Sequence, residues 1–401
     1  MPSQKISLLT PWKWRDKYDW FRRDLGLVCD ALCRRGHQAE LIVLHADGMP
    51  SDDPRLVGAT QEELHDPAWW AARKSDVVIS IAGFRPSACP IHHAIKKAGV
   101  LLWNKMDTDG ALGTHITPLL SLYNQWCSAA IKRKPIPWLS APLLFLYRRL
   151  TDGEGRGIQM IDMCDKFLVE SPLAVSRTQR FFRRQRRVDL ASQVELFPGP
   201  APGDRIFESH HKKENRIIAV GRWNEFVQKD TPKLFRVLNA FLTLNPEFSA
   251  DVVGLYNDDV MKLHASLPAH TRNRILIHGR IPNEQLTSYY QKSKILLCAS
   301  RTESVHIVSV EALCCGCSIV GSDWIASMPY YAGSNSGISA CGRSDGAFLD
   351  ALSAEAAEWR RGARDPVEIS RHFRSELSAD AVACIVERLL GENLPTQMEP
   401  T

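Results

Sequence analysis

Short apolar runs alternate with longer stretches of helical periodicity along the first half of the chain. The runs ISLL, AELIVL, DVVISIAG and VLLW are β-prone, and residues 24–35 and 91–97 have the spacing of amphipathic helices. Two further strands are predicted at residues 166–170 and 194–197. Strands that alternate with helices in this order indicate a mostly parallel sheet that is covered on both faces.

The same alternation starts again after a charged stretch, residues 208–216 (ESHHKKENR), which follows PGPAPG and is interpreted as an interdomain linker. The later apolar runs are IIAVG, ADVVGLY, RILIHG and ILLCAS. We therefore predict an α/β protein with two doubly wound parallel-sheet domains, at residues 1–205 and 206–378, followed by a helix and tail at residues 379–401. Ligands of such sheets bind at the carboxyl ends of the strands, which places the expected site in a cleft between the domains.

Composition narrows the class of protein. The chain of 401 residues is 44% hydrophobic, which is enough material for two cores, and its net charge of +5 does not by itself argue for a nucleic-acid partner. No apolar run approaches the roughly 20 residues of a membrane span, and the first residues lack a signal-peptide pattern. The default expectation is a soluble cytoplasmic enzyme.

Eleven cysteines occur in the chain, most of them singly in apolar segments, which favours buried free thiols. The one cluster is Cys314, Cys315 and Cys317. Because no second ligand pair follows at zinc spacing, core packing is favoured there and no metal site is predicted.

Two carboxylates stand out in residues 294–323, where Glu303 and Glu311 are separated by seven residues. The pattern predicts a strand at 295–298, a polar turn, a helix from about His306 that Gly316 ends, and another strand. Eight helical residues would separate the two carboxylates by roughly 12 Å and about 80° of rotation, so they suit two parts of one extended ligand. The helix amino terminus between them favours phosphate, and a nucleotide sugar would fit. The alternative is that both are solvated surface charges.

This segment resembles the signature of the retaining glycosyltransferases of the GT-B fold, in particular family 4. The signature is Glu, seven residues, Glu, then Ala-x-x-x-Gly and a Val-rich strand, here Glu303, Glu311, Ala312, Gly316, Ile319 and Val320. The resemblance implies two Rossmann-like domains facing across a cleft, with the terminal helix packing back on the first domain. It also implies that Glu303 clamps the donor sugar hydroxyls, and that Glu311 binds the ribose hydroxyls.

A second element follows the strand IIAVG. Gly221 permits a tight turn there, and Arg222 and Lys229 supply positive charge for a diphosphate, although an ordinary basic loop is the alternative. The element resembles the family's Gly-Arg…Lys element, which binds the donor diphosphate. The loop after RILIHG, with Arg280 and Ile281, resembles the wall against which the nucleotide base lies, and a plain turn accounts for it equally well.

The residues after Glu303 depart from the family pattern. Ser304, Val305 and His306 replace the usual small or Gly-rich residues, and with Ile307 they are predicted to contact the donor. Where relatives carry a Gly-Gly loop after the first strand, this chain reads TPWKWRDKYDW.

In the first domain, the run Asn104 to Gly110 contains the most informative polar residues. Asp107 and Asp109 are nominated for acceptor or sugar contacts, because some subgroups of the family resemble the Lys-x-Asp-x-Asp-Gly run. An Asx-turn is an equal alternative, since Asp-x-Asp-Gly is good turn chemistry.

Two basic segments raise the question of a membrane contact. Residues 131–150 mix Lys and Arg with Trp138, Phe145 and Tyr147, which suits an anionic membrane surface or a lipid-linked acceptor, or equally a buried insertion or dimer contact. The basic cluster at 177–187 is typical of a solvated helix face.

The resemblance implies a metal-independent hexosyltransferase (EC 2.4) without a cofactor. It would move a sugar from a nucleotide-diphosphate sugar to a glycan, lipid-linked or small-molecule acceptor. A catalytically silent nucleotide-sugar-binding or scaffold protein, motivated by the two departures, and another GT-B activity such as an epimerase are the alternatives. A dehydrogenase is disfavoured because no G-x-G-x-x-G follows the first strand of either half.

Overall fold

The computed structural model describes residues 2–14, 20–49, 53–81, 88–107, 160–202 and 212–393. Asp109 and the segment 131–150 lie outside these residues. Within the described part of the chain, no helix is both long and apolar enough to cross a bilayer.

Seven described strands form the first sheet, and all neighbouring pairs are parallel. Their order is β3-β2-β1-β4-β5-β6-β7. The strands are β1 (Lys5–Lys13), β2 (Gln38–Leu44), β3 (Leu56–Ala59), β4 (Val77–Ser80), β5 (Leu101–Met106), β6 (Lys166–Val169) and β7 (Val194–Leu196). The helices of this domain are α1 (Asp24–Arg34), α2 (Gln61–His65), α3 (Pro67–Arg73), α4 (Cys89–Lys97), α5 (Pro172–Arg184) and α6 (Val188–Ala191).

Six described strands form the second sheet, which is also parallel throughout, in the order β10-β9-β8-β11-β12-β13. The strands are β8 (Glu214–Val220), β9 (Ser249–Val253), β10 (Ile275–His278), β11 (Ser293–Cys298), β12 (Ser318–Ser322) and β13 (Gly337–Ala340). The helices are α7 (Phe226–Lys229), α8 (Thr231–Leu244), α9 (Asp258–Ala265), α10 (Ala269–Arg272), α11 (Asn283–Lys292), α12 (Ile307–Cys314), α13 (Met328–Tyr331), α14 (Asp345–Arg360), α15 (Pro366–Leu377) and α16 (Ala379–Asn393).

The two parallel sheets confirm the predicted α/β class. The central strands are buried on both faces, as β4 and β12 show along their whole length, because helices cover both sides of each sheet. Gly316 has φ +77 and follows the last turn of α12, which is the helix end that the sequence predicted.

The charged stretch at 208–216 is not a linker throughout, because β8 already begins at Glu214. Arg216 lies within this strand, where its guanidinium is 2.8 Å from the carboxylate of the fully buried Asp251 on β9. Pairing with a carboxylate on the neighbouring strand therefore lets β8 include Arg216, a charged residue of the stretch that was predicted to be a linker.

The terminal helix α16 packs on the first domain rather than on the second. Its buried side chains Val382, Val386 and Leu389 join the core around α1, and Glu387 forms an ion pair of 2.7 Å with Arg35. Where the chain enters α16, it pairs with Ala201 of the first domain. The Ala201 N–H donates to the Leu377 carbonyl at 2.7 Å, and the Ala201 carbonyl accepts from the Ala379 N–H at 3.1 Å.

The two domains face each other at the carboxyl ends of their strands. The Ser304 hydroxyl, in the loop after β11, donates to the carboxylate of Asp107, which directly follows β5. Gly199 of the first domain lies against the same loop, since a Cβ added there would be 3.3 Å from a methyl of Val305. Residues at the carboxyl ends of the two sheets therefore meet across the boundary between the domains.

Candidate functional site

The carboxyl ends of the second sheet present the sequence-predicted residues along one edge, which we call the cleft edge. Arg280 and Ile281 follow β10, Gly221 and Arg222 follow β8, and Glu303 follows β11. Because all six strands are parallel, their following residues lie at the same end of the sheet. Fold topology thus collects residues that are far apart in sequence.

The loop after β8, residues 221–230, is held against β9 by close backbone contact. Trp223 is buried, and its indole N–H donates to the Val253 carbonyl at 2.8 Å. Gly254 has φ +124, and a Cβ added to it would lie 1.9 Å from the Gly221 carbonyl oxygen. Only glycine fits there, so the loop has a defined shape before any ligand arrives.

The loop after β11, residues 299–306, is tied to the loop at 221–230. The Arg301 N–H donates to the Gln228 carbonyl at 2.8 Å, and the Arg301 guanidinium lies 2.7 Å from Asp230. Asp230 has φ 45, a left-handed conformation that is uncommon for aspartate, and it is buried between Arg301 and Lys233. These contacts set the end of α7 and the direction of its last residue, Lys229.

Lys229 and Glu303 form a buried ion pair where the two loops meet. The ammonium lies 2.6 Å from one carboxylate oxygen of Glu303, and the two side chains are only 10% and 8% exposed. The Gln228 amide donates to the other oxygen at 3.3 Å. Burial opposes ionisation of Glu303, but the neighbouring His306 and Lys229, together with hydrogen bonds from Lys229 and Ser300, outweigh it and keep its pKa below the usual value. Glu303 is therefore a carboxylate at neutral pH.

His306, at the start of α12, is a neutral side chain. It is 4% exposed, and burial lowers its pKa to about 4, with the Glu303 charge acting in the opposite direction. One ring nitrogen is 2.7 Å from the Ser309 hydroxyl. Val305 is buried beside it, and Ile307 and Ser304 are half-buried. A neutral imidazole can form a hydrogen bond with a bound ligand, but it supplies no positive charge.

Arg222 differs from Lys229 in its exposure. Its side chain is 58% exposed and forms an ion pair of 3.0 Å with Glu225, which is also partly exposed. The two cations that the sequence assigns to one role thus occupy different environments. Arg222 is open to solvent, whereas Lys229 is buried in its ion pair with Glu303.

Glu311 lies within α12 and is half-buried. The hydroxyl of the buried Tyr290, on α11, donates to one of its oxygens at 2.9 Å. Burial and the neighbouring carboxylate of Glu311 raise the pKa of Tyr290 well above its usual value, so the phenol keeps its proton. Glu303 and Glu311 each have a separate partner, and they do not form a carboxylate pair.

The other site residues that the sequence predicted are exposed or half-buried, or they lie outside the residues that the structure describes. Arg280 is exposed, and Ile281 is half-buried against the second core. Asp107 follows β5 and is exposed to solvent, and its carboxylate accepts the hydrogen bond from Ser304. Asp109 lies outside the described residues.

Sequence reasoning missed a buried ionic cluster at the cleft end of the first sheet. Lys105 on β5 is fully buried, with its ammonium 2.6 Å from Glu170 and 3.1 Å from Asp24. Burial, Asp107 and Asp24 raise the pKa of Glu170 to about 8, against the opposing effect of Lys105. The only signal in the sequence was a lysine inside an apolar strand, which needs partners when that strand is buried.

Tyr331, on α13 of the second domain, reaches toward this cluster. Its hydroxyl and one oxygen of Glu170 are both buried and have no hydrogen-bond partner among the described residues. Burial, followed by the Glu170 charge, raises the pKa of Tyr331. Buried charged and polar groups of the two domains therefore interact here.

The three clustered cysteines lie in the core of the second domain. Cys314, Cys315 and Cys317 are buried, and the Cys317 thiol donates to the Tyr290 carbonyl at 3.0 Å. Over the described ranges, no group of three or more His, Cys, Asp or Glu side chains is arranged to hold a metal ion.

Comparisons with known proteins agree with this geometry. Residues 204–359 match the family model described as glycosyl transferases group 1. No curated protein matches the chain by sequence.

Solved structures are similar over nearly the whole chain. The lipopolysaccharide outer core galactosyltransferase WaaB aligns with a TM-score of 0.66 at 13% identity, covering 97% of this chain and 100% of WaaB. HepE from Anabaena, solved in complex with UDP-glucose, has a TM-score of 0.61 at 12% identity, covering 97% and 100%. Sucrose-phosphate synthase from Thermosynechococcus elongatus has a TM-score of 0.61 at 14% identity, covering 97% and 98%. The chain has the GT-B fold, as predicted.

Proposed function

We propose that this chain is a retaining, metal-independent glycosyltransferase of family 4 that uses a nucleotide-diphosphate sugar. The observation that carries the proposal is the buried Lys229–Glu303 pair at the cleft edge. A buried ion pair is costly to desolvate, and groups in a cleft whose pKa values are shifted by burial and a charged partner are candidates for a functional site. The group 1 match over residues 204–359 covers both members of the pair.

The chemistry that these residues support is sugar transfer. The bond between the anomeric carbon and the diphosphate oxygen breaks, and the anomeric carbon bonds to an acceptor hydroxyl oxygen. The hydroxyl proton leaves with the diphosphate. Negative charge grows on the leaving group and positive charge on the sugar ring, so Arg222, Lys229 and the amino terminus of α12 would stabilise the former. Glu303 would hold the sugar hydroxyls beside the developing positive charge.

The donor would extend along the cleft edge. The diphosphate would lie at Arg222 and Lys229, with the sugar at Glu303 and the residues Ser304 to Ile307. The ribose would lie at Glu311, whose carboxylate is oriented by the hydrogen bond from the Tyr290 hydroxyl. The base would lie against Arg280 and Ile281.

The acceptor would approach from the first domain. Asp107, directly across the cleft from Ser304, is our candidate for an acceptor or sugar contact, together with Asp109. A cytoplasmic location, a glycan or lipid-linked acceptor and a peripheral membrane contact through 131–150 belong to the same proposal. Liposome flotation with and without the Trp138→Ser/Phe145→Ser change tests the last of these.

Thermal shift against a panel of nucleotide sugars tests the donor class, because a bound donor stabilises the protein in proportion to its binding. We expect Glu311→Ala to weaken the preferred donor, while Arg222→Ala and Lys229→Ala chiefly slow turnover. Lys262→Ala, which changes an exposed lysine on α9, is the matched control. Unchanged activity in all three site variants would refute the proposal.

One observation favours a second candidate, a catalytically silent nucleotide-sugar-binding protein. Lys229 and Glu303 satisfy each other, and His306 adds no charge. Donor hydrolysis without acceptor separates the two functions. A transferase releases nucleoside diphosphate slowly, and this release should fall in Lys229→Ala, whereas a silent protein binds donor and releases none.

A further inference from the structure

Trp324 is displayed to solvent at the cleft edge. It lies two residues after β12, and it is 60% exposed, although Ile325 and Ala326 beside it are buried. Among the described residues, the exposed aromatic side chains are Trp324 and Tyr256, which is 43% exposed and follows β9. Most of the indole surface is therefore available to contact a ligand.

Hydrogen bonds hold the backbone around Trp324 in place. The Trp324 N–H donates to the Ser322 hydroxyl at 3.3 Å, and that hydroxyl donates to the Gly342 carbonyl at 2.9 Å. Gly342 in turn donates its N–H to Asp323 at 3.0 Å. The loops after β12 and β13 are thus joined into one unit that presents the indole from a rigid base.

Arg343, from the loop after β13, covers part of the indole. Its guanidinium carbon lies 4.4 Å from the ring centroid. A side chain with one face covered in this way and still 60% exposed has its other face open to the cleft or solvent. The unit therefore combines an open aromatic face with five guanidinium N–H donors.

The sheet order fixes where this unit lies relative to the donor. Strands β8, β11, β12 and β13 are neighbours in that order, spaced by about 4.8 Å. The base of the proposed donor would lie after β10, its diphosphate after β8, and its sugar and ribose at the loop and helix that follow β11. On the side of β11 away from β8 the next strand is β12, so Trp324 lies one strand beyond the loop that would hold the sugar.

We propose that Trp324 and Arg343 form a subsite for a saccharide acceptor, whose pyranose ring stacks on the open indole face. The C–H face of a pyranose is apolar and matches an aromatic surface, while its hydroxyls accept hydrogen bonds from the guanidinium. The inference rests on the proposed function for the direction of the donor, and it assigns the acceptor class to carbohydrate.

Saturation-transfer NMR in the presence of saturating UDP, GDP or ADP, each in turn, tests the subsite directly. The probes are the methyl glycosides of glucose, galactose, mannose and N-acetylglucosamine at millimolar concentration. We expect at least one glycoside to show transfer, strongest on its ring C–H protons. Trp324→Ala should weaken binding of that glycoside by about tenfold or more. Trp324→Phe should keep part of the saturation-transfer signal, and Tyr256→Ala should keep all of it.

The thermal shift by nucleotide sugars is measured on the same variants, which also shows that they are folded. A glycoside signal that survives Trp324→Ala, or no signal from any glycoside with the wild-type protein, overturns the subsite. If no nucleotide sugar stabilises the wild-type protein while the Trp324-dependent signal is present, the proposed function fails and the saccharide site stands.

Discussion

The two cations proposed for the donor diphosphate should differ sharply in what their removal costs the fold. Lys229→Met leaves the carboxylate of Glu303 buried without the ammonium at 2.6 Å, and only hydrogen bonds such as those from Gln228 and Ser300 remain. Removing one partner of a buried pair costs about 3–5 kcal/mol. Arg222→Met breaks an exposed pair with Glu225, and such pairs are worth about 0–1 kcal/mol.

Calorimetry and denaturant titration measure this difference. For a domain of this size, 3–5 kcal/mol corresponds to a fall in Tm of roughly 6–20 °C, whereas Arg222→Met should stay within a few degrees of wild type. Both variants should lose turnover by about 100-fold or more if each cation stabilises the leaving group. Lys262→Met, which breaks an exposed pair with Asp259, is the control for removing a surface lysine.

A double-mutant cycle with Glu303→Gln then isolates the contact. Because the two side chains touch, the double variant should cost clearly less than the sum of the single variants. If Lys229→Met is no less stable than Lys262→Met, or if the cycle is additive, the buried pair is not the junction described above.

Three further outcomes follow from the site and its surroundings. Tyr290→Phe removes the hydroxyl that holds Glu311 at 2.9 Å and should weaken nucleotide binding by roughly tenfold in titration calorimetry, so unchanged affinity would contradict a role for that contact. Glu170 has a pKa of about 8 when folded and 4.5 as its ordinary value, so the folded state holds an extra proton between these values. Stability should therefore fall as pH rises from 5 to 8, by at most about 1.4 kcal/mol per pH unit, and Glu170→Gln should flatten this slope in denaturant titrations. An unchanged slope would contradict the raised pKa of Glu170. Gly254→Ala would bring a Cβ within 1.9 Å of the Gly221 carbonyl oxygen and should lower the free energy of unfolding by more than about 3 kcal/mol, whereas wild-type stability would refute the close approach.

The part of the site that sequence predicted best is local. The strand, turn and helix around Glu303 and Glu311 follow from periodicity and from Gly316, and each step involves neighbouring residues. The contact between Lys229 and Glu303 joins positions 74 residues apart, and no local pattern specifies it. Only the parallel order of β8 and β11 brings the two loops together.

The buried cluster shows a second limit. Lys105 has partners 65 residues later and 81 residues earlier, at Glu170 and Asp24, and its burial depends on helices that cover both faces of the sheet. A sequence pattern reports polarity but not which polar side chains share an interior. The misjudged linker has the same cause, since Arg216 is accommodated in β8 by a carboxylate on another strand.

The return of α16 to the first domain has a consequence for biosynthesis. Val382, Val386 and Leu389 complete a core whose members outside α16 lie between Ile6 and Phe197, so the ribosome finishes the whole second domain before it delivers them. Until then the nascent first domain exposes an apolar groove along α1. Contacts of such long sequence separation form late, and the waiting groove is the surface most open to chaperones or to aggregation during translation.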